Sequence, residues 1–116
     1  MSQTGYQVSP EIVNEFRQRT QYVAQMRSKV VELDAQVQEY LAVELLLKDL
    51  EGGRRCYRLI GSVLAESTVG ETLPQVSSQK DGIIAACDEL SRQILEKEKT
   101  LKEMSEKYQI VARPTA

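Results

Sequence analysis

Apolar residues recur along most of this chain at alternating spacings of three and four, interrupted once near the middle. Phe16, Val23, Val30 and Val37, followed in series by Glu44, stand seven apart, and Ile12, Arg19, Met26, Leu33, Tyr40 and Leu47 form a second series offset by three. These are the a and d positions of a coiled coil, and nine of the eleven are apolar. A second stretch repeats the pattern, with Leu73, Lys80, Cys87, Ile94, Leu101 and Tyr108 in one series and Val76, Ile83, Leu90, Lys97 and Met104 in the other. Two long helices follow from this, the first about 60 Å long at 1.5 Å per residue.

Local signals set the boundaries. Ser9-Pro10-Glu11 supplies a cap for the orphan amides, a proline at the first helical position and an acid at the positive helix end. The first helix is therefore expected over 9–51, ending at Gly52-Gly53, after a small polar tail at 1–8. Thr68 and Glu71 form a T-x-x-E capping box for the second helix, expected over 69–110 with a kink in its first turns at Pro74 and a tail at 111–116. Between them, 54–68 lacks the seven-residue rhythm: two β-rich runs flank Gly61-Ser62, a dipeptide suited to a tight hairpin turn.

The positions also test an antiparallel return of the second helix on the first. Pairing residues whose numbers sum to 120 sets Met26 with Ile94, Val30 with Leu90, Leu33 with Cys87, Glu44 with Val76 and Tyr40 with Lys80. No layer then holds two polar residues, and Glu44 lies one layer from Lys80. The fold class expected is mainly α: a long antiparallel coiled-coil helical hairpin with one β-hairpin at the bend.

A lone two-stranded sheet is marginal in water and has two open edges. Two thin helices cannot cover Tyr57, Leu59, Ile60, Val63 and Leu64, so the segment calls for companion chains that complete a shared sheet or barrel. Cys56, Tyr57, Leu59, Ile60, Val63, Leu64, Ala65 and Val69 are the candidate oligomerisation residues. At the far ends of the helices Ile12, Val13, Phe16, Tyr108, Ile110 and Val111 gather apolar surface. They are the candidate contacts for an unfolded client, although Ile12, Phe16 and Tyr108 also serve to close the last seam layers.

Composition narrows the chemistry. Among 116 residues there is one Phe, no Trp and no His, which removes the ordinary triad and the His metal ligand. Gly52-Gly53 lacks the spacing and the Lys-Ser/Thr of a phosphate loop, and Cys56 and Cys87 form no CxxC. No catalytic, cofactor or metal residue is assigned, and an enzyme is not expected. A formal charge of −2 gives no general attraction for nucleic acid or anionic membrane; the Arg54, Arg55 and Arg58 cluster reads as a strand flank or an ion pair between subunits. The opening MSQTGYQVSP lacks a signal-peptide pattern and no run reaches the length of a membrane span, so a soluble, cytoplasmic chain is expected.

The stretch Arg55-Cys56-Tyr57-Arg58-Leu59-Ile60-Gly61-Ser62-Val63-Leu64-Ala65-Glu66-Ser67-Thr68-Val69, continuing through Glu71 to Leu73-Pro74, closely resembles the signature of β-type prefoldin subunits. That signature usually reads KCYRMVGGVLVERTV followed by LP; here Ser62 replaces a glycine, Ala65 a larger aliphatic and Ser67 a basic residue. The resemblance implies a heterohexamer of two α-type and four β-type subunits, a body with six tentacles, from a eukaryotic source. It further implies capture of unfolded chains, notably nascent actin and tubulin, and their transfer to the cytosolic chaperonin without ATP. A structural coiled-coil adaptor is the alternative, and only the hairpin, which an adaptor would not need, separates the two. A nucleic-acid-binding accessory subunit is a third reading, marked by salt-dependent affinity for DNA or RNA.

Overall fold

The computed structural model describes residues 9–108. Its elements follow in the order α1 (Pro10–Leu47), β1 (Arg55–Ile60), β2 (Val63–Thr68) and α2 (Val69–Tyr108). The helices hold 38 and 40 residues, and the strands pair antiparallel in a two-stranded sheet. The expected fold class is the observed one.

Both helix starts use the expected caps. Ser9 accepts the Ile12 amide on its hydroxyl at 3.3 Å, and its carbonyl accepts the Ile12 and Val13 amides. Thr68 Oγ1 accepts the Glu71 amide at 3.3 Å, the N-cap bond of the capping box, and its hydroxyl donates to the Glu71 carboxylate at 3.1 Å. α2 runs on through Pro74.

The end of α1 differs from expectation. The helix stops at Leu47, not 51, with Lys48 still donating to Glu44 and Leu50 donating to Leu47 in a tighter turn. The cause lies downstream: the Gly52 carbonyl accepts the Gly70 amide at 2.8 Å and the Arg54 carbonyl accepts the Val69 amide at 2.9 Å. The chain must leave the helical path before the glycines for these carbonyls to reach the start of α2. The approach is close, since a Cβ on Gly70 would stand 3.1 Å from the Gly52 oxygen.

The chain divides into two compact units. In the unit formed by Met1–Val30 and Glu89–Ala116, Val23, Met26 and Ile94 are buried, with Val30, Leu90 and Leu101 packed against them. Burying each large side chain contributes roughly 1.5–3 kcal/mol. Arg27 pairs with Glu98 across the helices, and Lys97 Nζ lies 5.3 Å from the centre of the Tyr22 ring. Every seam position in these described segments is at least half-buried except Arg19, whose guanidinium turns out to Glu15 at 2.9 Å.

The unit Val31–Asp88 contains the end of α1, the sheet and the start of α2. Here Glu44 meets Lys80 at 2.6 Å and also accepts a hydrogen bond from Ser77 Oγ. Leu33, Val37, Tyr40, Leu47, Leu73, Lys80, Ile83 and Cys87 are half-buried and Val76 is buried, as the seam requires.

Candidate functional site

The sheet is built around Gly61, whose φ of 62° lies in the left-handed region that a two-residue hairpin turn demands of its first position. The register runs Ile60↔Val63, Leu59↔Leu64, Arg58↔Ala65, Tyr57↔Glu66, Cys56↔Ser67 and Arg55↔Thr68. Side chains alternate between faces, so Cys56, Arg58, Ala65 and Ser67 share one face while Tyr57, Leu59, Leu64 and Glu66 share the other.

The first face rests on α2 and is half-buried. Thr72, itself buried, donates to Ser67 Oγ at 3.0 Å and lies 3.2 Å from Cys56 Sγ. With its own proton committed to Ser67, Thr72 takes the Cys56 thiol as donor. Arg58 donates to the side-chain oxygens of Gln75 and, at 3.2 Å, Gln79, which are one helical turn apart. Val69, Thr72 and Val76 form a buried stripe on α2 in the same unit.

The second face has nothing on it among the described residues. Tyr57, Leu59 and Leu64, with Ile60 and Val63 beside the turn, are between 59% and 72% exposed, and an Arg55–Glu66 ion pair at 3.2 Å sits among them. Ile60 and Val63 belong to the first face by alternation but extend past its covered part. Sequence reasoning thus placed five exposed apolar residues correctly on the hairpin. Of the other three expected oligomerisation residues, Cys56 and Ala65 lie on the inner face of the hairpin and are half-buried, and Val69, the first residue of α2, is only 2% exposed. Val69 is therefore taken up by the chain's own packing, with its amide donating to the Arg54 carbonyl.

Main-chain polarity follows the same division. Outward from the turn, hydrogen-bonded and non-hydrogen-bonded pairs alternate. The Val69 amide donating to Arg54 belongs to the series of Ile60, Arg58 and Cys56. The main-chain groups of Tyr57, Leu59, Leu64 and Glu66 consequently point away from the sheet. Tyr57, Leu59, Leu64 and Glu66 thus combine exposed side chains with open amides and carbonyls, whereas Ile60 and Val63 are exposed only at their side chains.

At the helix ends, Ile12, Met104 and Tyr108 line a shallow cavity of about 310 Å³ together with Glu15, Arg19 and Lys107. The structure brings Ile12 and Tyr108 together, as their layer requires, while Phe16 is half-buried and Val13 exposed. Ile110 and Val111 lie outside the described residues. Sequence reasoning overlooked a further group, Leu41, Val43, Leu45 and Leu46 at the end of α1, all exposed. The signal was the apolar run 41–47, which a search limited to a and d positions passes over.

Among the described residues no group of three His, Cys, Asp or Glu could hold a metal ion, and no helix is long and apolar enough to cross a membrane.

A family profile described as prefoldin subunit matches residues 10–113. The chain belongs to the prefoldin subunit family. It is 33% identical over 111 residues to a probable prefoldin subunit 2 of Dictyostelium discoideum, covering 95% of this chain and 96% of that one. It is 34% identical over 100 residues to prefoldin subunit 2 of Homo sapiens, covering 86% of this chain but 65% of the human protein. In fold it is similar to the crystal structure of the prefoldin beta subunit from Thermococcus strain KS-1, with a TM-score of 0.76 at 14% identity, covering 95% of this chain and 99% of that one. The β-type prefoldin architecture expected from Arg55 to Pro74 is thus the fold of the whole described chain.

Proposed function

We propose that this prefoldin chain is an assembly-dependent, ATP-independent chaperone subunit. Its hairpin joins α-type and β-type companions in a cytoplasmic heterohexamer that holds unfolded proteins of the actin and tubulin class for the cytosolic chaperonin. The observation that carries the reading is the outward face of the sheet: Tyr57, Leu59 and Leu64 exposed together, with the open main-chain groups on the same residues. A protein chain able to extend that sheet satisfies both the apolar surface and the hydrogen bonds in one step. A nucleic acid or a membrane would satisfy only one of them.

Client holding belongs, in this reading, to the helix ends. Val13, Ile12, Met104 and Tyr108 offer a small apolar area among charges. One such end binds weakly, whereas several tethered ends raise the effective concentration of contacts by roughly 10²–10⁴.

Leu64→Asp tests the assembly role. Leu64 is 65% exposed, so the isolated variant should keep its helical circular dichroism, yet it should be excluded from complexes formed on co-expression with companion prefoldin subunits. Undiminished incorporation of the variant would remove the hairpin from the assembly surface.

A further inference from the structure

The last two turns of α1 carry the densest apolar stretch of the chain. In Leu41-Ala42-Val43-Glu44-Leu45-Leu46-Leu47 every residue but Glu44 is apolar, and the seam uses only Glu44 and Leu47. The remainder is left outside: Leu41 and Val43 are exposed, Leu45 is 52% exposed and Leu46 69%. One heptad earlier the equivalent positions are Asp34, Gln36, Gln38 and Glu39. The same flanks of the same helix therefore change from polar to apolar over a single heptad, and they do so beside the β-hairpin.

At 3.6 residues per turn, Leu41 and Leu45 form one stripe on one flank of the seam, while Val43 and Leu46 form another on the opposite flank. A helix apolar on all sides is one enclosed by protein. A single flat partner can cover one of these stripes but not both.

We infer that the end of α1 is a collar that extends the assembly surface, with one stripe resting on each of two neighbouring prefoldin subunits. The inference builds on the hairpin reading above. Two observations select companion subunits as the occupant. The collar and the sheet belong to the same compact unit and are joined by only residues 48–54, so a chain seated on the sheet lies next to the collar. The sheet also has two open edges, one on β1 and one on β2, so a chain with two neighbours at its strands has two neighbours available to the two stripes.

The test is competitive co-expression of parent and variant chains with the companion subunits, followed by cross-linking of the purified complex. Leu45→Glu and Leu46→Glu place a good helix former at an exposed site, so the isolated chains should keep their helicity. Each should enter the complex at least ~10-fold less than the parent, the scale of losing most of one buried leucine. The residual complexes should lack cross-links to different neighbours. Val31→Glu, at a site on α1 that is 71% exposed but outside the collar, should enter as the parent does. If a glutamate variant loses helicity, Leu45→Gln or Leu46→Gln takes its place with the same expectation.

Parent-like incorporation of both collar variants, with Leu64→Asp excluded, would overturn the collar and leave the hairpin reading standing. Incorporation of Leu64→Asp as well would overturn the hairpin reading itself. Normal assembly of a collar variant with loss of binding to another protein, such as a chaperonin, would assign the collar to that protein and also overturn the proposal.

Discussion

Glu44 and Lys80 occupy adjacent layers of the helical seam and bond across it at 2.6 Å, with side chains 16% and 18% exposed. Ser77 donates a second hydrogen bond to the same carboxylate. The Lys80 hydrogen bond, and after it that from Ser77, holds the Glu44 carboxyl below its ordinary value of 4.5, while the bond to Glu44 holds the Lys80 ammonium above 10.5. The sign of each contribution follows from linkage. The contribution of Glu44 is present above its unfolded value and is lost as pH falls through its lower folded value. The contribution of Lys80 is present below its unfolded value and is lost as pH rises through its higher folded one.

Thermal unfolding of the chain should accordingly become less pH-dependent below 4.5 in Glu44→Gln than in the parent. The variant should also lose the parent's advantage near neutrality. Parallel pH profiles for the two proteins would show that the pair does not contribute.

Register gives a second expectation for the same pair, since a polar pair in a seam penalises slipped pairings. With Met26→Cys and Ile94→Cys as a reporter pair in a chain lacking its native cysteines, oxidation should trap a single cross-link. In Glu44→Leu/Lys80→Leu the yield of that cross-link should fall as slipped registers compete. An unchanged yield would assign register to the apolar layers alone.

Two glycines of α2 should respond differently to alanine. Gly82 has open space at its Cβ position, so Gly82→Ala should stabilise the chain by up to about 1 kcal/mol in chemical denaturation. Gly70 faces the Gly52 oxygen at 3.1 Å and donates to that oxygen, so Gly70→Ala must push away its own hydrogen-bond acceptor and should show no such gain.

Much of this architecture was legible from spacing. The seven-residue series named the half-buried and buried positions of both helices, because helical periodicity is a local property that a partner helix only has to match. Arg19 departs from it because a long cation at a helix end is better served by Glu15 than by the seam. The early stop of α1 was hidden, since it depends on hydrogen bonds from Val69 and Gly70 far along the chain. Val69 reads as one more apolar residue of the hairpin, and only the fold places it beneath. The exposed collar at Leu45 and Leu46 escaped because a and d bookkeeping credits apolar residues on the seam and ignores those beside it.

At the helix ends, Val13→Ser and Tyr108→Ser in the assembled complex should weaken the holding of a chemically unfolded protein, measured as light scattering on dilution. The effect of one variant subunit should be less than about tenfold, because other tethered ends remain. Complex formation should be unaffected. Full holding by a complex with both changes would place client contact elsewhere.

The most direct measurement is amide hydrogen exchange, residue by residue, on the dilute isolated chain and on the assembled complex. Tyr57, Leu59, Leu64 and Glu66 should exchange fast in the isolated chain and become protected in the complex, while Cys56 and Arg58 on the inner series should be slower already. Protection of the first four in the dilute chain alone, or their continued fast exchange after assembly, would contradict the account of the sheet as an element that companion chains complete.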